Sequence, residues 1–257
     1  MIRFFRKIRQ ELLSKGKTGK YIKYAIGEIV LVVIGILIAL QINTWNEERK
    51  DSKLEIQVLH EISENLGEDI NSLENDVYLN EGAIRNVQII EDVLANQEIL
   101  PDSILNRLGK VTFNATYTLK WSGYKNLSNI GFHILTKDTI RQSITNLYET
   151  YYSFIKEREA AAKKTTYEYV TPHYLEYFRE IRNGESVGGA IPPKLYVPKN
   201  FNALKSDFEF QRLLDYTEQI KYDNLYDLQL TLKQIRGTKK LVDAYLLNNN
   251  YRKPATN

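Results

Sequence analysis

His60, His133 and His173 are the side chains best suited to hold a transition metal, and their spacing supplies no ligand pattern. A carboxylate-bridged di-iron bundle needs Glu-x-x-His, but Gln57, Ile130 and Val170 stand three residues before the histidines. His60-Glu61-Ile62-Ser63-Glu64 lacks the second histidine of a zinc protease helix. The chain has no Cys, which excludes thiolate metal sites, cysteine nucleophiles and disulfide scaffolds. Gly188-Gly189 runs into Ala190-Ile191-Pro192-Pro193, a turn and not a phosphate cradle. Nucleophile elbows and dinucleotide glycine motifs are missing as well. Residue chemistry therefore predicts a non-enzyme with no cofactor and no metal.

Glu28 is the acid that stands out, because it is the one charge in the 19 residues from 24 to 42. Seven residues along a helix advance about 700°, so Gly35 returns to within about 20° of Glu28, and Ala39 lies on the same line. Small residues permit close helix approach and an intramembrane carboxylate seeks a partner, which makes this face a packing surface for another copy or another membrane protein. Two other readings stand beside it: Glu28 reaches the headgroups or pairs with Lys20 or Lys23, or it couples to an ion. Trp121, Gly123 and Tyr124 form the other candidate, either a small ligand or partner contact or a tight turn under an anchoring Trp. The 18 Tyr, several clustered at 148–152 and 167–177, suit either an interface or helix packing with a wet hydroxyl.

The elements that carry these residues follow from charge and hydropathy. Residues 1–23 hold eight basic groups (Arg3, Arg6, Lys7, Arg9, Lys15, Lys17, Lys20, Lys23) against Glu11, while the remaining 234 residues are net −4. That distribution excludes nucleic acid as a partner and points to an anionic membrane surface. Residues 24–42 would span about 29 Å as a helix, which matches a bilayer core. Ten Ile, Leu and Val between 29 and 40, at about −0.3 to −0.6 kcal/mol each, outweigh the single acid. Tyr21, Tyr24 and Trp45 occupy the ends, where interfacial aromatics belong. No small-x-small cleavage site follows, so the segment is expected to be an uncleaved signal anchor. Positive-inside bias then puts the N-terminus in the cytoplasm and residues 46–257 outside. Phe5, Ile8 and Leu12 opposite Arg3, Arg6 and Lys7 describe an interfacial amphipathic helix ahead of the span.

The opening Met1-Ile-Arg-Phe-Phe-Arg-Lys-Ile-Arg-Gln10, the run from Lys23 to Asn43 and Trp45-Asn-Glu47 resemble an uncharacterised family of single-pass inner-membrane proteins of Bacteroidota. The match is strongest over residues 1–47 and looser around Trp121-Ser-Gly123 and the helix after Thr136. The resemblance implies a bacterial inner-membrane setting with a periplasmic domain, and no activity. It also implies that Asp102-Ser103-Ile104 and Asp138-Thr139-Ile140 fit a short O-glycosylation pattern, although both suit helix N-termini.

Beyond the span, apolar residues at intervals of three and four from Leu59 to Leu94 predict one helix over about 47–97, broken in pattern only around Asn80 and Glu81. Residues 103–108 suit a short helix, and 111–121 are too irregular to assign. A second long helix is expected from Asp138 until Pro172 breaks or kinks it, then a helical piece over 173–183 and a loop over 184–200. Ser206-Asp-Phe-Glu209 reads as a capping box opening a third long helix that ends near 248. No strand pattern is visible. The expected fold class is all-α, one transmembrane helix continuing into an extracytoplasmic antiparallel bundle: a cytoplasmic segment (1–19), the anchor (20–45), the bundle (46–250) and a tail (251–257). The expected role is that of an adaptor, scaffold or accessory subunit, with the lipid bilayer and self-association or another membrane protein as partners. A ligand-sensing module and a subunit of an ion-driven transporter or motor are the alternatives.

Overall fold

The computed structural model describes residues 18–186, 188 and 191–249. It is about 81% helical. The chain divides after Ile56 into two compact units, Met1–Ile56 and Gln57–Asn257. One helix, α1 (Thr18–Asn96), runs through both. Its residues from 22 to 54 are largely exposed, and it is the one helix among the described residues long and apolar enough to cross a membrane. From residue 55 onward the same helix buries a stripe that includes Leu59, Ile62, Leu66, Leu73, Val87, Ile90 and Leu94, the periodicity that the sequence carries.

The second unit adds α2 (Asp102–Lys110), α3 (Ser122–Ile130), α4 (Asp138–Asn146), α5 (Ser153–Thr165), α6 (Thr171–Leu175), α7 (Phe201–Ser206) and α8 (Phe208–Asn248). Residues 138–175 are wound without a break, because π turns at Leu147–Tyr152 and Thr166–Val170 join α4, α5 and α6. The sequence explains both turns. Ile144, Tyr148 and Tyr152 are buried at intervals of four, as are Thr166, Val170 and Tyr174. In an α-helix each step of four overshoots a turn by about 40°, so two steps would carry the stripe out of the core. Wider π winding absorbs that drift.

Pro172 does not end this helix as its type predicts. It lies in the first turn of α6, directly after a π turn, where regular i→i+4 bonding is already interrupted and the missing N–H removes no regular bond. Residues 178–183 are not helical either. They form β1 (Phe178–Asn183), which pairs antiparallel with β2 (Lys194–Pro198), Ile181 opposite Tyr196 and Arg182 opposite Leu195, with an irregularity between Phe178 and Glu180. Non-local pairing and packing against α2 override the local preference, since β1 alone buries only Phe178 and shows no alternation to read. At the start of α8, the cap is Asp207, whose carboxylate accepts from Phe210 N at 2.9 Å; Ser206 instead closes α7.

One end of the core collects Val87, Ile90, Leu94, Leu108, Tyr174 and Phe210, with Tyr174 stacked on Phe210 at 5.6 Å and donating to Leu108 O at 2.9 Å. Here β2 lies so close to α2 that a Cβ on Gly109 would stand 2.3 Å from Lys194 O. Ala ordinarily gains about 1 kcal/mol over Gly inside a helix, but here backbone would have to move. Gly109→Ala is therefore expected to lower stability by about 1–3 kcal/mol, read as a fall in the thermal unfolding midpoint.

Candidate functional site

The sequence-predicted site residues fall into three groups. Arg3, Arg6, Lys7 and Arg9 lie outside the described residues. Lys20 and Tyr21 lie on the first turns of α1, and Lys23, Tyr24 and Trp45 follow on the same helix, the last two well exposed. Glu28, Gly35 and Ala39 share one line of α1, with nothing within 4 Å of a Cβ placed on Gly35.

Trp121, Gly123 and Tyr124 come together at the start of α3, filled by packing. Trp121 meets Tyr124, Tyr148 and Tyr152 edge-on at 5.6 to 6.3 Å, and Tyr124 stacks on Tyr148 at 4.5 Å. A Cβ on Gly123 would lie 2.9 Å from Ile62 Cγ1 and 3.1 Å from Ile62 N, so the glycine lets α3 approach α1. Tyr124 donates to Glu149 at 2.6 Å. Tyr148 and Tyr152 are buried and Tyr167 and Tyr169 are exposed, so the tyrosine clusters divide between packing and surface. His173 Nδ1 lies 2.7 Å from Tyr169 O, and no group of three His, Asp or Glu side chains converges among the described residues.

The chemistry that sequence reasoning missed surrounds residues 113–120. They belong to no helix or strand, so no regular ladder satisfies their backbone groups. Side chains from three helices do the work. From α8, Lys221 Nζ donates to Phe113 O at 2.5 Å and Asn114 Oδ1 at 2.8 Å. From α5, Lys163 Nζ donates to Thr116 Oγ1 at 2.6 Å and Lys156 Nζ to Tyr117 O at 3.0 Å. From α1, Asp69 accepts from Lys120 N at 2.9 Å and from Tyr152 OH at 2.5 Å.

Electrostatics follow from burial. Lys221, 3% exposed, has its pKa pulled down to about 8 by desolvation, because its acceptors are neutral. Burial raises Glu159, but hydrogen bonds from Lys156 and Lys163 outweigh it and hold the carboxyl below its ordinary value. Burial raises Asp69 against the opposing Tyr152 and Lys120 bonds. Asp227 pairs with Arg158 Nε at 3.0 Å. Desolvation pushes the Tyr117 and Tyr152 hydroxyls well above the usual range, so both stay protonated, and Tyr152 donates to Asp69. This is a clamp on residues 113–120 built from charged side chains.

A separate open groove of about 580 Å³ lies between α5–α6 and α8, lined by Lys164, Thr165, Tyr169, Arg212, Leu213 and Tyr216 among others. Tyr169 and Tyr216 meet edge-on at 6.3 Å on its wall.

Fold and site thus define a predominantly helical protein with one apolar membrane-length stretch and a polar clamp in its larger unit. The chain belongs to a family of unknown function (DUF6090), whose model matches residues 28–184. The match starts at Glu28, so it leaves out the Met1–Gln10 opening of the sequence resemblance; it covers the α1 and α5 clamp residues and stops before Lys221. No curated protein matches the chain, and no solved structure does.

Removing one clamp donor leaves a buried carboxylate oxygen without its bond. Tyr152→Phe is expected to cost about 1–3 kcal/mol, measured as a lower urea midpoint at unchanged slope.

Proposed function

We propose that this protein is a non-enzymatic, single-pass bacterial inner-membrane protein whose helical domain acts as an adaptor, scaffold or accessory subunit of an envelope complex. The observation that carries this reading is α1: its most apolar 18-residue stretch has no residue buried inside the chain, and it runs on into a folded helical unit. A soluble core helix would bury that surface, and a bilayer accounts for it. The basic residues 1–23 favour a cytoplasmic N-terminus and a periplasmic domain. Contacts of Ser63 with Asp243, Glu74 with Arg236 and Gln88 with Glu218 support an antiparallel bundle of α1 and α8. Self-association or a membrane partner would engage the Glu28, Gly35 and Ala39 line of α1.

One observation favours a second reading, a ligand-sensing module. The Tyr169 and Tyr216 groove has the volume and the apolar walls of a small-molecule site.

Since the chain has no Cys, single cysteines report topology directly. Ile191→Cys, at a position 94% exposed, is expected to react with an impermeant thiol reagent in intact spheroplasts, and Phe5→Cys only after permeabilisation. Labelling of position 5 alone would reverse the orientation. Affinity capture of the tagged full chain from native membranes in mild detergent, with a native mass of the complex, tests the role. A stoichiometric membrane partner or a homo-oligomer weakened by Gly35→Leu is expected; a lone monomer stabilised by small molecules would transfer the case to the sensing reading.

A further inference from the structure

The clamp leaves one acid unanswered. Asp76 sits on the buried face of α1 at 6% exposure, and its Oδ2 is enclosed with no hydrogen-bond partner. Asn80, one turn on, gives its amide to Asp76 O at 2.9 Å and is hydrogen-bonded through its side chain to Tyr117. Charged and titratable groups surround this point on every packed element. Segment 113–120 contributes Tyr117, α5 contributes Glu159 with Lys156, Arg158 and Lys163, and α8 contributes Lys221 and Asp227. Every cation in that set is engaged elsewhere. Lys156 and Lys163 hold Glu159 at 2.5 and 2.6 Å, Arg158 holds Asp227, and Lys221 holds Phe113 O and Asn114.

A metal ion does not answer the need either. Glu159 and Asp227 are neutralised by their own cations, and no three-carboxylate group converges among the described residues. An ionised Asp76 would therefore be a desolvated charge facing the Glu159 charge. Burial favours the protonated form, which carries no charge to desolvate.

We propose that Asp76 is a proton-binding site that couples mild acidity to the closure of residues 113–120 onto α1, α5 and α8. Protonated, the carboxyl lies neutral beneath the clamp. On ionisation, the cheapest relief is to admit water, and residues 113–120, held by side chains and not by a helix or strand ladder, are the part that lifts. Burial, with the Glu159 charge as a second cause, raises Asp76 from 3.8 to about 6. A folded-state value above the unfolded one gives stability that is full below pH 3.8 and lost as pH rises through 6. The inference is independent of the membrane reading.

Glu91 shares the same sign. Burial and the neighbouring Glu218 and Asp215 raise it to about 7, so Glu91→Gln is the background for the test. Hydrogen exchange of the full chain in detergent, corrected for the intrinsic rate, is compared at pH 5 and pH 7.5. Amides of residues 113–120 are expected to be about tenfold less protected at pH 7.5, and Asp76→Asn, the neutral isostere, to remove the difference. Equal protection at the two pH values, or an undiminished difference in Asp76→Asn, would overturn the proposal. Should that variant not fold, the labelled Asp76 carboxyl is titrated by NMR in the Glu91→Gln chain. A midpoint near 6 supports the site, and one near 3.8 removes it.

Discussion

Residues 113–120 impose the constraint around which the larger unit is organised: they belong to no helix or strand, and Tyr117 is buried while the others are half-buried or exposed. A backbone group of such a segment that turns toward the helices must find its donor or acceptor there, at a cost of about 1–3 kcal/mol if buried and left unmet. Lys221 meets it at Phe113 O, Lys156 at Tyr117 O and Asp69 at Lys120 N, while Lys163 holds the Thr116 hydroxyl, and each is presented by a helix. Those helices must therefore stand at fixed register to one another, which apolar packing alone does not impose. Hydrophobic contacts around Tyr174 and Phe210 supply cohesion, and the clamp supplies registration.

That division explains what could be read from the sequence. The apolar span, α1 as a single helix, the short helix after Asp102 and the end of α8 near 248 all rest on local signals, hydropathy and period. The β hairpin does not. Phe178–Asn183 has one buried residue and no alternation, so its identity as a strand exists only opposite Lys194–Pro198. Pro172 misleads for a related reason, because a π turn placed by buried residues at intervals of four has already changed the winding before the proline is reached.

The clamp was half visible. The break in the apolar stripe at Asn80 marks where polar side chains enter the interior, and Asp69 and Asp76, seven residues apart, lie on the same face of α1. A polar residue on a core stripe is a local signal that a non-local partner exists. The partner's identity is not local: Lys221 finds Phe113 more than a hundred residues away, in a stretch with no periodicity. Gly123 is similar, since its neighbour Ile62 alone explains why a side chain there would not fit. Of the predicted site, the Glu28, Gly35 and Ala39 line follows from helix geometry, whereas Trp121 and Tyr124 are part of an aromatic stack.

The two π turns have a mechanical side. They bracket α5, which carries Lys156, Glu159 and Lys163, so this section of helix is joined at each end by a loosely wound coupling. Rewinding one turn into α geometry shifts the register by one residue, a rotation of about 100° for everything beyond it. Rewinding the Leu147–Tyr152 coupling would therefore turn Lys156 and Lys163 away from Tyr117 and Thr116, so the clamp and the winding hold each other in place.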